Sequence, residues 1–307
     1  MPKHLLRLYV ITFAMGLAGL TCASYPQAAS TSHGAEYWRQ LKQHDFQVPA
    51  GEAILPLALE ATRLLASTDP ELRDGVGYEL FVSWVYRQQR LSTDELNQLR
   101  AVLVRNARQG LGQPESDALF RRSFSLLTLS ILAAEDLRKS FLDDVAFHEL
   151  VGLAVTSLQE ERDLRGYVEG KGWGHATAHC ADLVKFLARN TRFTREDERQ
   201  LVEAIAGRLQ SAGHVFVWGE DARLALALNA IARRPGADSA PFIAWFRTLQ
   251  DEHAALWSGA FDPARYVRVR TQLNALGELG ADLEDADSAG APQDIRRALR
   301  ELRAATG

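Results

Sequence analysis

LSTDELNQLRAVLVRNARQG, residues 91–110, contains a complete helix with both of its ends marked. Ser92 stands three residues before Glu95, so that hydroxyl and carboxylate can each accept from the other's backbone N–H, and Gly110 follows the last apolar position as a stop. The same grammar recurs in TREDERQLVEAIAGRLQSAG, residues 194–213, between Thr194 and Gly213. Two further starts, Asp69-Pro70 and Asp262-Pro263, place proline in a first turn, where its missing N–H costs nothing and the aspartate can cap. Alternating β-branched runs are nearly absent, which argues against a substantial sheet. The chain therefore reads as all-α, with about eleven or twelve helices joined by short loops. Antiparallel helix pairs of roughly 35–45 residues would suit a degenerate HEAT-like α-solenoid, and a closed α/α toroid is the alternative.

Composition is that of an ordinary globular protein: 307 residues, 47% hydrophobic and 24% charged. The first 30 residues differ. Lys3, His4 and Arg7 precede an apolar run from Leu8 to Ala23, followed by Ala28, Ala29 and Ser30. That layout predicts a signal peptide over residues 1–30 and an exported, periplasmic or extracellular protein. An uncleaved N-terminal membrane anchor is the alternative, and it would be the chain's one route to a membrane. A lipidated Cys22 is a third option, although Gly19 stands where a lipobox wants leucine. Losing Lys3 and Arg7 with the signal takes the formal charge from −4 to −6, which argues against nucleic acid as a partner. It also leaves Cys180 as the single cysteine, so that no internal disulfide can form. Residues 31–279 are expected to form one helical domain. GADLEDADSAGAP, residues 280–292, reads as an acidic linker before a short terminal helix that completes 280–307.

The chemistry is concentrated in DLRGYVEGKGWGHATAHCADLV, residues 163–184. A helix through this stretch places His175, His179 and Asp182 within about 60° of one another. Imidazoles four apart could share a divalent ion such as zinc, iron or manganese, with Asp182 as third ligand or as an acceptor that fixes a tautomer. Ala176 stands where zinc proteases carry glutamate, so that reaction class gains nothing. In the preceding loop Arg165 offers a fork for a carboxylate or phosphate, and Tyr167 and Trp173 offer stacking faces. The bland alternative pairs Arg165 with Asp182 or Glu220. Cys180 points into an apolar stripe, about 100° from its neighbour His179, and reads as core. A second stretch, VFVWGEDARLALALNAIARR at 215–234, sets Trp218, Glu220 and Asp221 at a helix start, where carboxylates suit the dipole. Glu220 is the candidate general base, and both carboxylates are candidate partners for the histidines.

The central stretch resembles the signature of the bacterial domain of unknown function 2785 family, an Asp-Leu-Arg-Gly loop that leads into a Gly-Trp-small-His, Ala-His, Asp helix. GEDARLALAL, residues 219–228, and FRRSFSLLTLSIL, residues 120–132, are similar to two further motifs of that family. The likeness runs from about Tyr78 to about Leu279. It implies an all-α fold without a defined activity, and shared polar positions at Arg165, Trp173, His175, His179, Asp182, Glu220 and Asp221. Gly174 and Cys180 depart from the pattern, and residues 262–279 follow it poorly.

Three functions compete. The first is a binding module that holds a small polar or anionic ligand, or a peptide, over Arg165, Tyr167, Trp173, His175, His179, Asp182, Glu220 and Asp221. The second is a metal-dependent hydrolase with His175 and His179 on the ion. In the third, the cluster merely ties loop to helix.

Overall fold

The computed structural model describes residues 32–284 and 292–307. The expected signal segment, Cys22 included, lies outside the described residues, as do positions 285–291 of the expected linker. Residues 33–307 form a single compact unit.

Among the described residues there are twelve helices and one two-stranded sheet, which bears out the all-α class. The order is α1 (Ala35–Gln43), α2 (Ile54–Ala61), α3 (residues 71–87), α4 (Thr93–Arg108), α5 (Ala118–Arg138), α6 (Asp144–Glu160), β1 (Tyr167–Val168), β2 (Gly172–Trp173), α7 (Ala176–Leu187), α8 (Arg195–Ser211), α9 (Glu220–Ala232), α10 (Ala240–Ala254), α11 (Pro263–Glu284) and α12 (Gln293–Thr306). The local signals act where the sequence puts them. Ser92 with Glu95 and Thr194 with Asp197 form capping boxes. Asp262 accepts from the N–H groups of Ala264 and Arg265 at the start of α11. Asp69 accepts from Glu71 N–H at the start of α3.

The core is built from leucine, alanine and phenylalanine on nearly every helix. Helix α5 is its spine, burying most of its length between α4 and α7. From there α7 packs on α9 and α9 on α11, while α6 packs on α8, α8 on α10 and α10 on α12. No helix of the described residues is long and apolar enough to cross a membrane.

Four details differ from the sequence expectations. Over Glu71–Tyr78 and Val82–Arg87, α3 takes wide turns of π-helical spacing. Residues 167–173 form a hairpin in which Tyr167 pairs with Trp173 and Val168 with Gly172, where a helix and loop were expected. Consequently α7 begins only at Ala176, and His175 is its N-cap, in the left-handed region at φ 53°. Finally, α11 runs on to Glu284, so the linker cannot begin at 280. Leu279 and Gly280, four and three residues before Leu283, keep one face of that last turn buried with it despite the acidic composition. Helix α12 then docks Ile295, Leu299 and Leu302 against α10 and α11.

Candidate functional site

The hairpin, the start of α7 and the start of α9 meet at one place, and Gly166 lets them meet. A β-carbon there would overlap Glu220 Oε1 and lie 2.7 Å from Trp218 Cβ, so only glycine admits this approach. Glu220, buried in the first turn of α9, accepts from Trp218 N–H at 3.1 Å and so folds the preceding loop back over the helix end. Trp218 is thereby held beside the hairpin. Its ring centroid is 5.7 Å from that of Tyr167 and 6.1 Å from that of Trp173, and the three rings stay about half exposed.

Beneath this aromatic group lies His175, stacked on Trp173 at 4.5 Å. Its Nε2 has no hydrogen-bond partner among the described residues and sits 3.7 Å from Glu220 Oε1. Burial, aided by the Arg223 charge, holds the His175 pKa below the usual histidine value, and burial holds the Glu220 carboxyl above its own. Each group is thus pushed toward its uncharged form.

His179 lies deeper. Its Nδ1 is 2.7 Å from the Ser123 hydroxyl, and that hydroxyl also donates to the carbonyl of Gly174. Burial first, and then the nearby His175 and Arg223, keep its pKa well below the usual value. This imidazole fastens α7 to α5. Asp182 is engaged elsewhere: its carboxylate pairs with Arg223 of α9 and with Lys185 Nζ at 3.0 Å. Tyr78 faces it from α3, and burial together with the Asp182 charge pushes that phenol up to about 12.

The common face drawn for His175, His179 and Asp182 therefore fails at its first member, because His175 caps the helix rather than belonging to it. Among the described residues no three of His, Cys, Asp and Glu are grouped so that they could hold a metal ion. As placed, His175, His179 and Asp182 do not form such a group.

Arg165 is also committed. Its Nε and Nη2 bind the two carboxylate oxygens of buried Asp163 at 2.8 and 2.6 Å, and Nη2 also donates to Ser116 O. The partner is Asp163, two residues away, and neither Asp182 nor Glu220. Asp221 accepts from Ala222 N–H within the first turn of α9. Cys180 is buried against Ala154 O, with a thiol that burial pushes up to about 12, as a core cysteine should be.

The open part of the site is a cleft of about 330 Å³ between the 162–167 loop and the 212–218 loop. Arg162, Arg165, Tyr167, His214, Trp218 and Glu115 line it. The sequence reading overlooked Arg162 and His214. Arg162 is exposed, and its guanidinium has no ion-pair or hydrogen-bond partner among the described residues. Arg73 went unnoticed as well. Fully buried under the hairpin, it donates to Lys171 O and to Ser67 O at 2.8 Å each, and its guanidinium lies over Phe120 and Phe124.

The family model described as protein of unknown function (DUF2785) matches residues 108–276, more than half of the chain. The chain belongs to this family. No curated protein and no solved structure matches it. The DUF2785 match takes in the hairpin, α7, α9 and both loops of the cleft. It begins some way after Tyr78, so that α3, with Arg73, precedes it.

Proposed function

We propose that this DUF2785 protein is a binding module whose cleft between the 162–167 and 212–218 loops takes a small anionic ligand or the acidic end of a peptide. The reading rests on one observation: the guanidinium of Arg162, unpaired among the described residues, shares a small cleft with the half-exposed rings of Tyr167 and Trp218. A guanidinium that no carboxylate neutralises is suited to bidentate capture of an anion, and adjoining rings suit the apolar body behind that charge. Of the residues expected from sequence, Tyr167 and Arg165 line the cleft, Trp173 backs Tyr167, and Glu220 positions Trp218. His179 and Asp182 serve as braces.

Two broader parts of the reading go with this. The succession of helix contacts, with α5, α7, α9 and α11 in one row and α6, α8, α10 and α12 in another, supports a HEAT-like array. The sequence of residues 1–30 supports export, so that the ligand would be met outside the cytoplasm.

The test is a tryptophan-fluorescence titration with citrate and inorganic phosphate, on the parent and on Arg162→Ala and Trp218→Ala. Saturable quenching that both substitutions weaken at least tenfold is the expected result. Equal responses from parent and Arg162→Ala would remove the cleft from consideration.

A further inference from the structure

We infer that the ligand of this cleft is an acidic sugar, a pyranose ring that carries a carboxylate. The inference rests on the anion-binding reading above and narrows it by the shape and lining of the same cleft.

Tyr167 and Trp218 are 42% and 49% exposed, and their planes are inclined by 36° at a centroid separation of 5.7 Å. A flat aromatic ligand sandwiched between two rings needs them parallel and about 7 Å apart, twice the usual contact distance of ~3.5 Å. These rings instead adjoin as two panels of one shallow wall. Such a wall fits the C–H face of a pyranose, which is apolar and puckered while its hydroxyls point outward around the rim. The rim here is polar in a mixed way. Arg162 supplies a cation that is unpaired among the described residues, His214 a ring nitrogen, and Glu115 an exposed carboxylate 3.7 Å from Arg165 Nε. Sugar hydroxyls give the Glu115 carboxylate several donors to accept from, while the sugar's own carboxylate is suited to Arg162. A volume of about 330 Å³ is at the small end of ligand pockets, roughly 300–1,000 Å³, and suits one ring better than an extended polymer.

The experiment uses the whole chain with D-glucuronate, D-galacturonate, D-glucose, citrate and inorganic phosphate. It is followed by tryptophan fluorescence and by saturation-transfer NMR of the ring protons. One of the uronates should saturate the site at least tenfold more tightly than glucose. Trp218→Ala should abolish saturation transfer to its ring protons, and Arg162→Ala should bring its affinity down to that of glucose. Both side chains are exposed, so both variants are expected to keep the parent's circular dichroism and melting temperature. Binding of citrate or phosphate that Arg162→Ala removes, with no uronate binding, would overturn the sugar and leave the anion reading standing. Glucose binding as tightly as either uronate would overturn the role given to the carboxylate. No response to any of the four acidic probes would overturn both readings.

Discussion

Gly166 and Glu220 approach so closely that a single methyl group on Gly166 would overlap the Glu220 carboxylate and press on Trp218. The two loops of the cleft are held together by the absence of a side chain. Gly166→Ala should therefore cost about 1–3 kcal/mol, the usual penalty of overpacking, and should shift Trp218. Gly170→Ala is the control. It has φ +71° with open space around it, so only backbone strain of roughly 1–2 kcal/mol applies and the tryptophan emission should not change. Urea unfolding read by fluorescence separates the two.

Arg165 offers a different contrast. It neutralises Asp163, which is fully buried, and ties that loop to Ser116. Arg165→Ala should lower stability by about 1–3 kcal/mol, because it strands a buried carboxylate. Arg162→Ala should leave stability within about 0.5 kcal/mol of the parent and change binding alone. If the two substitutions exchanged these effects, the assignment of one arginine to the fold and the other to the ligand would be reversed.

Ser123 links His179 of α7 to the Gly174 carbonyl at the hairpin's exit. Ser123→Ala removes both bonds from a buried site and should cost about 1–3 kcal/mol. A melting temperature unchanged from the parent would show that the network carries no stability.

Acidification should destabilise the fold. His179 has a pKa well below the usual 6.5, and that of His175 is also lowered, so the unfolded chain takes up protons that the folded chain refuses as pH falls below that value. Stability is therefore lost on going from pH 7.5 to pH 5.5. Glu220, whose pKa is raised from 4.5, acts in the opposite sense and favours the folded chain as pH falls further toward that value. The urea midpoint should drop between pH 7.5 and 5.5, and the His175→Ala/His179→Ala variant should show a shallower drop. A midpoint that rises over this interval would contradict the assignment.

The expected metal ligands do not converge, since His179 is held by Ser123 and Asp182 by Arg223 and Lys185. Elemental analysis of tag-free residues 31–307 should find no stoichiometric zinc, iron or manganese. One equivalent retained by the parent and lost in the double-histidine variant would establish a metal site despite this arrangement.

The legible parts of the sequence were the local ones. Ser92 with Glu95, and Thr194 with Asp197, signal across three residues, and their caps depend on little else. The hairpin was not legible, because two-residue strands are too short to show an alternating pattern. That gap displaced His175 from the helix and dissolved the face it was meant to share with His179 and Asp182. Arg165 was recognised as important and given the wrong partner, since its true one is only two residues away in a turn. Arg162 and His214 could not be found at all. What singles out Arg162 is its place in one cleft with the exposed rings of Tyr167 and Trp218, a property of the folded surroundings. The acidic end of α11 was misread because composition outweighed the spacing of Leu279 and Leu283.

The hairpin that forms one wall of the cleft hangs from α3. Arg73 holds the carbonyl of Lys171, and Pro70 packs so near Gly172 that a β-carbon there would lie 3.1 Å from its own. Both residues precede the segment that the family model recognises, residues 108–276. A protein trimmed to that segment would keep the tryptophans and histidines of the motif and lose the strut that aims them. The shape of the proposed opening is therefore set in part from outside the segment that carries the signature.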